Sequence, residues 1–280
     1  NFPSQLKELG KYWAYGIFEL VNISISPKNQ YFKYLDEKII VRKSDLNNNQ
    51  YDTIVFALRD IEHAFIPSYI KKINPYAFQF CKNLKSIEFS DNSQLEIIDD
   101  YAFNNTSITT LVVPKCVKII GEECFSYSSL QSIIFQDNSE LNFIGDKAFY
   151  STDIKKIVIP NRDIKIQLGV FGSCKNLEEL VISDSIDSIY PIASYLGIKK
   201  IYVPPRAYDL NVINYDYLKE IHISPENKYF ADVEGQMIIK KSNPNSDVYD
   251  ILYKSIKSIE YVTIPSYIRI IGSRAFNRRN

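Results

Sequence analysis

The stretch FIPSYIKKINPYAF, at residues 65–78, returns near the end of the chain as TIPSYIRIIGSRAF, at residues 263–276. A shift of 198 places aligns residues 25–78 with residues 223–276 without a gap, and 22 of the 54 positions are identical. A repeated catalytic loop would explain only a short echo, whereas this one extends into the surrounding sequence. The echo therefore indicates a repeated architecture, of which these two stretches are well-preserved copies.

The repeat unit is short, and its clearest marker is a small residue followed by phenylalanine. Such pairs follow one another at steps of 25, 22, 24 and 22 residues, at positions 77–78, 102–103, 124–125, 148–149 and 170–171. Between them lies an L-x-x-I-x-I signal, in segments such as LKSIEF (84–89) and LQSIIF (130–135). A period of 20 to 25 residues is typical of a solenoid, in which each unit buries its apolar face only against its neighbours.

Each unit can be given a local structure from its pattern. The I-x-I triplet alternates with period 2, which predicts a short strand whose first and third residues face inward. Proline or Asp-Asn-Ser then ends the strand, because proline cannot donate to a sheet and Asp-Asn-Ser caps its own turn. At the following bend the small residue admits the backbone and the phenylalanine ring fills the core. We predict that Phe103, Phe125 and Phe149 stack as buried plugs.

Two units are longer than the others. In both, the distance between successive strand ends grows to 41 residues, with the extra length at about 33–60 and 231–258. Each extra segment has two β-rich runs around a polar turn, which predicts a β-hairpin looping out of one coil. We expect residues 1–280 to form a single solenoid with these two hairpin insertions.

Composition argues against several classes of protein. There are 33 basic and 33 acidic residues, so the net charge of zero disfavours nucleic-acid binding. No run approaches the roughly 18 apolar residues of a membrane span. The four cysteines lack a CxxC spacing and a nearby histidine, which predicts free thiols in place of zinc ligands: Cys81, Cys116, Cys124 and Cys174. We expect no metal and no cofactor.

The sequence contains no pattern that predicts catalysis. Its two histidines, His63 and His222, fall in strand segments many units apart, and neither is expected beside a nucleophile. Adjacent carboxylates such as Glu178 and Glu179 do not converge on a cleft, as acid–base pairs must. The nine glycines form no phosphate-binding loop, and the Asp-Asn-Ser turns lack the ligand ladder of a calcium loop. We expect a protein that is not an enzyme, with a hydrolase of unrecognised site as the alternative.

The composite pattern L-x-x-I-x-I-P-x-x-V-x-x-I-G-x-x-A-F-x-x-C resembles the BspA-like leucine-rich repeat family. The resemblance is clearest in AFQFCKNLKSIEF (77–89) and LVVPKCVKIIGEECF (111–125), and it covers essentially the whole chain. It implies an α/β solenoid, a right-handed coil with a parallel sheet on the concave face and short helical or 3-10 turns on the other. It also implies a cell-surface or secreted protein that adheres to host or matrix proteins; an intracellular interaction scaffold is the alternative.

The candidate binding site is a row on the exposed sheet. If the first and third residues of I-x-I face the core, the middle residues form this outer row, and we expect it to bind protein: Glu88, Val112, Ile134, Val158, Val181, Tyr202 and His222. Contiguous exposed apolar residues often mark interaction sites, and tyrosine favours interfaces. The alternative is that β-branched residues merely suit neighbouring strands.

The expected partners are other proteins, of the host, the matrix or the cell surface. The chain stops just past Ala275-Phe276, inside a repeat unit, so an apolar coil end is also expected to be available. Self-association through this end or through the concave sheet is therefore a further expectation.

Overall fold

The computed structural model describes residues 1–45, 47, 49–189, 192, 198–211, 213, 215, 217–243, 245–256 and 263–276. The chain divides into two compact units, residues 1–154 with 165–174 (unit 1) and residues 155–164 with 175–280 (unit 2). Each unit consists of stacked parallel coils, so the fold is a β-solenoid. Whether residues 1–280 form one array remains a prediction.

Unit 1 carries an eight-stranded sheet built mostly from very short strands. Three antiparallel strands begin it and correspond to the first predicted insertion: β1 (Phe32–Tyr34), β2 (Ile39–Arg42) and β3 (Thr53–Ala57). Two-residue strands from successive coils then follow β3 in parallel: β5 (Lys72–Ile73), β7 (Ile97–Ile98), β9 (Ile119–Ile120), β11 (Phe143–Ile144) and β13 (Lys165–Ile166).

A second set of strands in unit 1 comes from the I-x-I triplets. The strands pair in parallel, β4 (His63–Ile66) with β6 (Ser86–Phe89), and β8 (Thr110–Val113) with β10 (Ser132–Phe135). In β8 the burial alternates, because Leu111 and Val113 are buried while Thr110 and Val112 are exposed. This alternation confirms the predicted inward and outward phase.

The core of unit 1 contains a column of five phenylalanine rings. Phe78, Phe103, Phe125, Phe149 and Phe171 are all fully buried. Successive ring centroids lie 4.8, 5.3, 5.4 and 5.5 Å apart, and the interplanar angles do not exceed 12°. The predicted plugs are confirmed. One ring per coil, repeated at the coil spacing, produces the stack.

The bends before and after each phenylalanine are non-helical turns. The prediction of short helices or 3-10 turns at these bends is therefore wrong for the described residues up to 189, where all regular elements are strands. The N–H groups of Tyr101, Phe103 and Asn105 donate to carbonyls of the next coil at 2.8, 2.8 and 3.0 Å. Tyr101 and Asn105 also have positive φ, at 58° and 56°. A helix cannot propagate because every second N–H is committed to the neighbouring coil and left-handed residues interrupt the turn. The α/β class is therefore corrected to an all-β coil.

The close approach of coils explains the glycine in the repeat pattern. A Cβ atom on Gly121 would lie 2.4 Å from the backbone nitrogen of Asp100, and one on Gly145 would lie 2.5 Å from that of Glu122. Neither contact can be relieved by moving a side chain, because the opposing atoms are backbone. These two positions therefore require glycine where I-G precedes the bend.

The described residues of unit 2 form two four-stranded sheets. Four strands from I-x-I triplets pair in parallel: β12 (Lys156–Val158), β14 (Glu179–Val181), β15 (Lys200–Val203) and β16 (Glu220–Ile223). The other sheet has three antiparallel strands and a parallel fourth: β17 (Phe230–Val233), β18 (Met237–Lys240), β19 (Ile251–Ser255) and β20 (Ile270–Ile271). The first three arise from the second predicted insertion, of which residues 244, 257 and 258 lie outside the described ranges.

One buried asparagine fixes the same bracket in both long copies. In unit 2, the Asn227 amide donates to the carbonyls of Pro204 and Ala207 at 2.8 and 3.0 Å, and its oxygen accepts from the N–H groups of Tyr229 and Phe230 at 2.9 Å. In unit 1, Asn29 makes the corresponding four bonds, at 2.7, 3.1, 2.8 and 2.8 Å. The shared motif I-S-P-x-N-x-Y-F is thus a structural bracket, since all four polar valences of the asparagine are used.

Candidate functional site

In unit 2, four residues of the outer row lie side by side on adjacent strands. The register places Val158 opposite Val181, Val181 opposite Tyr202, and Tyr202 opposite His222. Val158 is 50% exposed, while the other three are half-buried. The preceding residues, which point inward, are fully buried: Ile157, Leu180, Ile201 and Ile221. Four neighbouring side chains thus form a continuous face, apolar except at the histidine.

A second row of alternating charge runs along this face, two residues before the outer row. Lys156 pairs with Glu179 at 3.1 Å, and Lys200 pairs with Glu220 at 3.1 Å. The Lys200 ammonium, followed by the hydrogen bond with His222, holds the pKa of the Glu220 carboxyl below its usual value. These exposed pairs add little stability. Their effect is to leave the apolar residues beside a row whose charges are mutually compensated.

Tyr202 and His222 form a stacked ring pair on this face. Their rings stack at 5.0 Å between centroids with an interplanar angle of 20°. The Lys200 ammonium lies 5.1 Å from the centre of the tyrosine ring, and the His222 Nε2 atom is hydrogen-bonded to Glu220. The stacked pair is therefore held on one side by charged neighbours, which restricts the side-chain freedom that binding would otherwise have to remove.

Unit 1 contains the other three residues of the outer row. Val112 and Ile134 are directly opposite each other on β8 and β10, and are 47% and 57% exposed. Glu88 lies opposite Phe65, an exposed ring on β4. In unit 1 the outer row thus consists of one apolar pair and of Glu88, whose cross-strand neighbour is outside the row.

One histidine does contact a hydroxyl, which sequence reasoning did not anticipate. His63 Nδ1 lies 2.8 Å from Ser86 Oγ, because β4 and β6 pair in register. Both side chains lie on the outer side of their strands, and within the described part of the chain no carboxylate hydrogen-bonds to the imidazole. A nucleophilic serine needs a base that is itself oriented, and an oxyanion site nearby. The pair is a cross-strand hydrogen bond on the exposed sheet. The other histidine, His222, belongs to unit 2.

The cysteines and acidic turns have structural roles. All four cysteines are free. Burial raises the pKa of the Cys81 thiol to about 11, even though the Arg59 guanidinium lies 3.5 Å from its sulfur. In the Asp-Asn-Ser turns, Ser93 and Ser139 accept backbone N–H groups two residues ahead at 3.2 and 3.3 Å, as the capping interpretation predicts.

Two other kinds of feature are absent from the residues that the structure describes. Within them, no cluster of three or more His, Cys, Asp or Glu side chains has the arrangement of a metal site. No helix in those same ranges has the length and apolarity to cross a bilayer.

The charged row is the feature that sequence reasoning missed. Its signal was available, because residues 156, 179, 200 and 220 occupy the same repeat position and alternate as Lys, Glu, Lys and Glu. The alternation becomes meaningful only once the strands are known to pair in register, since like charges directly opposite would destabilise the sheet.

Comparison with known proteins identifies the repeat. The BspA type leucine rich repeat region matches in six copies, over residues 49–178, 96–220 and 246–280. No curated protein matches the chain. A leucine-rich repeat protein from Eubacterium ventriosum of known structure is 17% identical, with a TM-score of 0.53 over 81% of this chain and 57% of that one. That likeness supports the fold alone.

Two further solved structures are similar at TM-scores below 0.5. The pneumococcal vaccine antigen PcpA is 24% identical over 77% of this chain and 42% of that one, with a TM-score of 0.36. A leucine rich cell surface protein from Faecalibacterium prausnitzii is 15% identical over 87% and 67%, with a TM-score of 0.36. The chain spans 42% and 57% of the PcpA and Eubacterium structures. Since the repeat model covers well over half of its residues, the chain belongs to the BspA-type leucine-rich repeat family.

Proposed function

We propose that this protein is a non-enzymatic protein-binding module that contacts its partner through the outer row. The cell surface or the extracellular space is the proposed location, and host or matrix proteins are the proposed partners. One observation carries the proposal, the presence of apolar side chains on the outward side of paired strands, with Val112, Ile134 and Val158 about half exposed. Membership in a repeat family suited to protein interaction supports it.

The physical argument concerns what water contacts on this face. Outward positions of a half-buried strand ordinarily carry polar residues, so a row of valine, isoleucine and tyrosine leaves apolar area in water. Covering such area is favourable by about 25 cal/mol per Å². The adjoining Lys–Glu pairs resemble the polar rim of an interface, and a partner does not have to neutralise them because they neutralise each other.

An intracellular interaction scaffold using the same face is the second candidate. The four free cysteines favour it, because disulfides are characteristic of oxidising compartments. Labelling intact cells with an antibody or a protease that cannot enter them separates the two locations. Labelling without permeabilisation supports the surface assignment, and labelling only after permeabilisation supports the scaffold.

The binding test uses the double variant Val158→Lys with Val181→Glu. Surface substitutions change stability by about 0.5 kcal/mol or less, so the melting temperature should stay nearly constant. Because Val158 and Val181 lie directly opposite each other, the new lysine and glutamate form an exposed ion pair. Removing that pair from water at the centre of an interface costs several kcal/mol, so binding to purified extracellular-matrix proteins should be lost. Self-association, measured by sedimentation, should fall likewise if it uses this face.

The matched control is Val248→Lys, because Val248 is 49% exposed but belongs to the second insertion and lies outside the outer row. It should bind as the unmodified protein does. A folded double variant that binds each partner with unchanged affinity would remove the outer row as the site. The insertions, with Tyr51 and Tyr249 at matching positions, would then be the alternative surface.

A further inference from the structure

A cleft in unit 2 lies outside the outer row and has a different chemical character. It has a volume of about 150 Å³ and is lined by Tyr208, Lys228, Tyr229, Phe230, Lys240 and Lys241. Phe230 is buried and forms an apolar wall, and the register of β17 and β18 places Lys240 directly opposite it. Three lysines and two tyrosines thus line the cleft together with one buried apolar ring.

The cleft is built on a fixed bracket. Asn227 ties the segment ending at Ala207 to the turn that continues into Tyr229 and Phe230, through the four hydrogen bonds given above. Tyr208 follows the first segment directly, and Lys228 and Tyr229 follow Asn227 directly. Residues from two distant parts of the sequence are therefore held together before any ligand arrives, which lowers the cost of binding.

The positive charges of the cleft are only partly neutralised. In the described ranges no carboxylate lies within 4 Å of the Lys228 or Lys240 ammonium, and neither the Tyr208 nor the Tyr229 hydroxyl has a hydrogen-bond partner. Lys240 instead lies 5.0 Å from the centre of the Tyr253 ring. The Lys241 ammonium lies 5.1 Å from the centre of the Tyr249 ring and 3.8 Å from the carboxylate of Asp247, which is fully exposed. The cleft thus carries excess positive charge together with free hydroxyl groups.

We infer that this cleft binds an acidic saccharide unit, a uronate or a sulfated hexose. The ammonium groups match a carboxylate or sulfate as point charges with three donors each. The phenols both donate and accept, which suits the several hydroxyls of a sugar, and an exposed tyrosine ring offers a flat apolar surface to a pyranose. The volume suits a single ring, being smaller than the 300–1,000 Å³ of sites for larger ligands.

The inference does not depend on the outer row, so its test is independent of the proposed function. The protein is titrated with glucuronate, glucose 6-sulfate, glucose, inorganic sulfate and tyrosine O-sulfate, and binding is followed by NMR shifts. Glucuronate and glucose 6-sulfate should bind with dissociation constants on the order of 1 mM, as expected for about a dozen heavy atoms. Neutral glucose should bind at least tenfold more weakly. Raising the salt concentration should lower the affinity for both acidic sugars.

The test variant is Lys228→Gln with Lys240→Gln. Glutamine at 228 is compatible with the bracket, because the aligned position of the first long copy is Gln30 beside Asn29. The control is Lys82→Gln, an exposed lysine in unit 1 that changes charge without touching the cleft. The double variant should keep its melting temperature and lose saturable shifts with both acidic sugars, whereas the control should bind normally.

Three results would overturn the inference. Unchanged affinity in the double variant would mean that the sugars bind elsewhere. Inorganic sulfate binding as tightly as glucose 6-sulfate would reduce the cleft to an anion site. Tyrosine O-sulfate binding more tightly than either acidic sugar would assign the cleft to a sulfated peptide. If the double variant fails to fold, Tyr208→Ala replaces it, because Tyr208 is exposed and its truncation should leave the fold intact. This variant should bind both acidic sugars more weakly and bind inorganic sulfate with unchanged affinity.

Discussion

Truncating the central ring of the phenylalanine column should be among the most damaging single changes in unit 1. Phe125 is fully buried, and its ring lies between Phe103 and Phe149 at 5.3 and 5.4 Å, parallel to each within 2°. Replacing a buried phenylalanine with alanine costs about 3–5 kcal/mol. Each aromatic pair contributes about 0.5–1.5 kcal/mol beyond burial, and Phe125 loses two. We expect Phe125→Ala to lower the free energy of unfolding by about 5 kcal/mol.

The measurement is urea unfolding followed by far-UV circular dichroism and by tryptophan fluorescence. The single tryptophan, Trp13, packs beside Phe2 and Phe56 in unit 1, so its emission reports on the same unit as Phe125. Two controls bracket the result. Phe125→Leu retains most of the volume and should cost about 1.5 kcal/mol. Phe65→Ala removes an exposed ring and should cost about 0.5 kcal/mol or less.

If Phe125→Ala lowers the free energy of unfolding by less than about 1 kcal/mol, the ring is not the close-packed plug described above. A buried ring of this size can be removed at so small a loss of stability only if the coil repacks. Equal losses for the alanine and leucine variants would also contradict that description. That result would show that the volume retained by leucine recovers none of the stability that the phenylalanine ring provides.

Three further predictions concern titration and reactivity. The hydroxyl and N–H groups of Ser242 donate to the Asp250 carboxyl and hold its pKa below the usual value, so folding favours the ionised form. The contribution of this carboxylate to stability is complete above pH about 4 and is lost as the pH falls through the pKa of the folded state. Ser242→Ala should therefore move the acid-unfolding midpoint, followed by circular dichroism, to higher pH. A fluorophosphonate probe should leave Ser86 unlabelled, and stoichiometric labelling would revive the hydrolase alternative. With Ellman's reagent in the native protein, Cys116, which is partly exposed, should react before Cys81, whose buried thiol has a pKa of about 11; the reverse order would contradict the burial.

The phase of the repeat was readable from the sequence because it depends on spacing alone. An I-x-I triplet places alternate side chains on opposite sides of any strand, so the burial of Leu111 and Val113 and the exposure of Val112 follow without further information. The ring column follows in the same way, since one phenylalanine per coil at a constant position must meet its equivalents in adjacent coils.

The structure of the bends could not be predicted from the local sequence. The segment around Ala102 and Phe103 has no helix-breaking residue, and it forms turns only because the N–H groups of Tyr101, Phe103 and Asn105 bond to the next coil. Local propensity is a weak preference that such tertiary hydrogen bonds override. The local sequence is therefore compatible with a helical turn. Only the hydrogen bonds to the neighbouring coil show that the segment does not form one.

The coil period, the inward residues, the ring column and the family can all be read from the amino-acid sequence, because each depends only on the spacing of residue types along the chain. Only the tertiary structure decided which side chains meet between coils: His63 with Ser86, Tyr202 with His222, and the lysines and tyrosines around the cleft at Lys228. These partners lie 20 or more residues apart in sequence or on separate loops. Their contacts depend on the register between strands of adjacent coils and on the hydrogen bonds of Asn227. Both are set by the stacking of one coil on the next, which the sequence does not specify residue by residue.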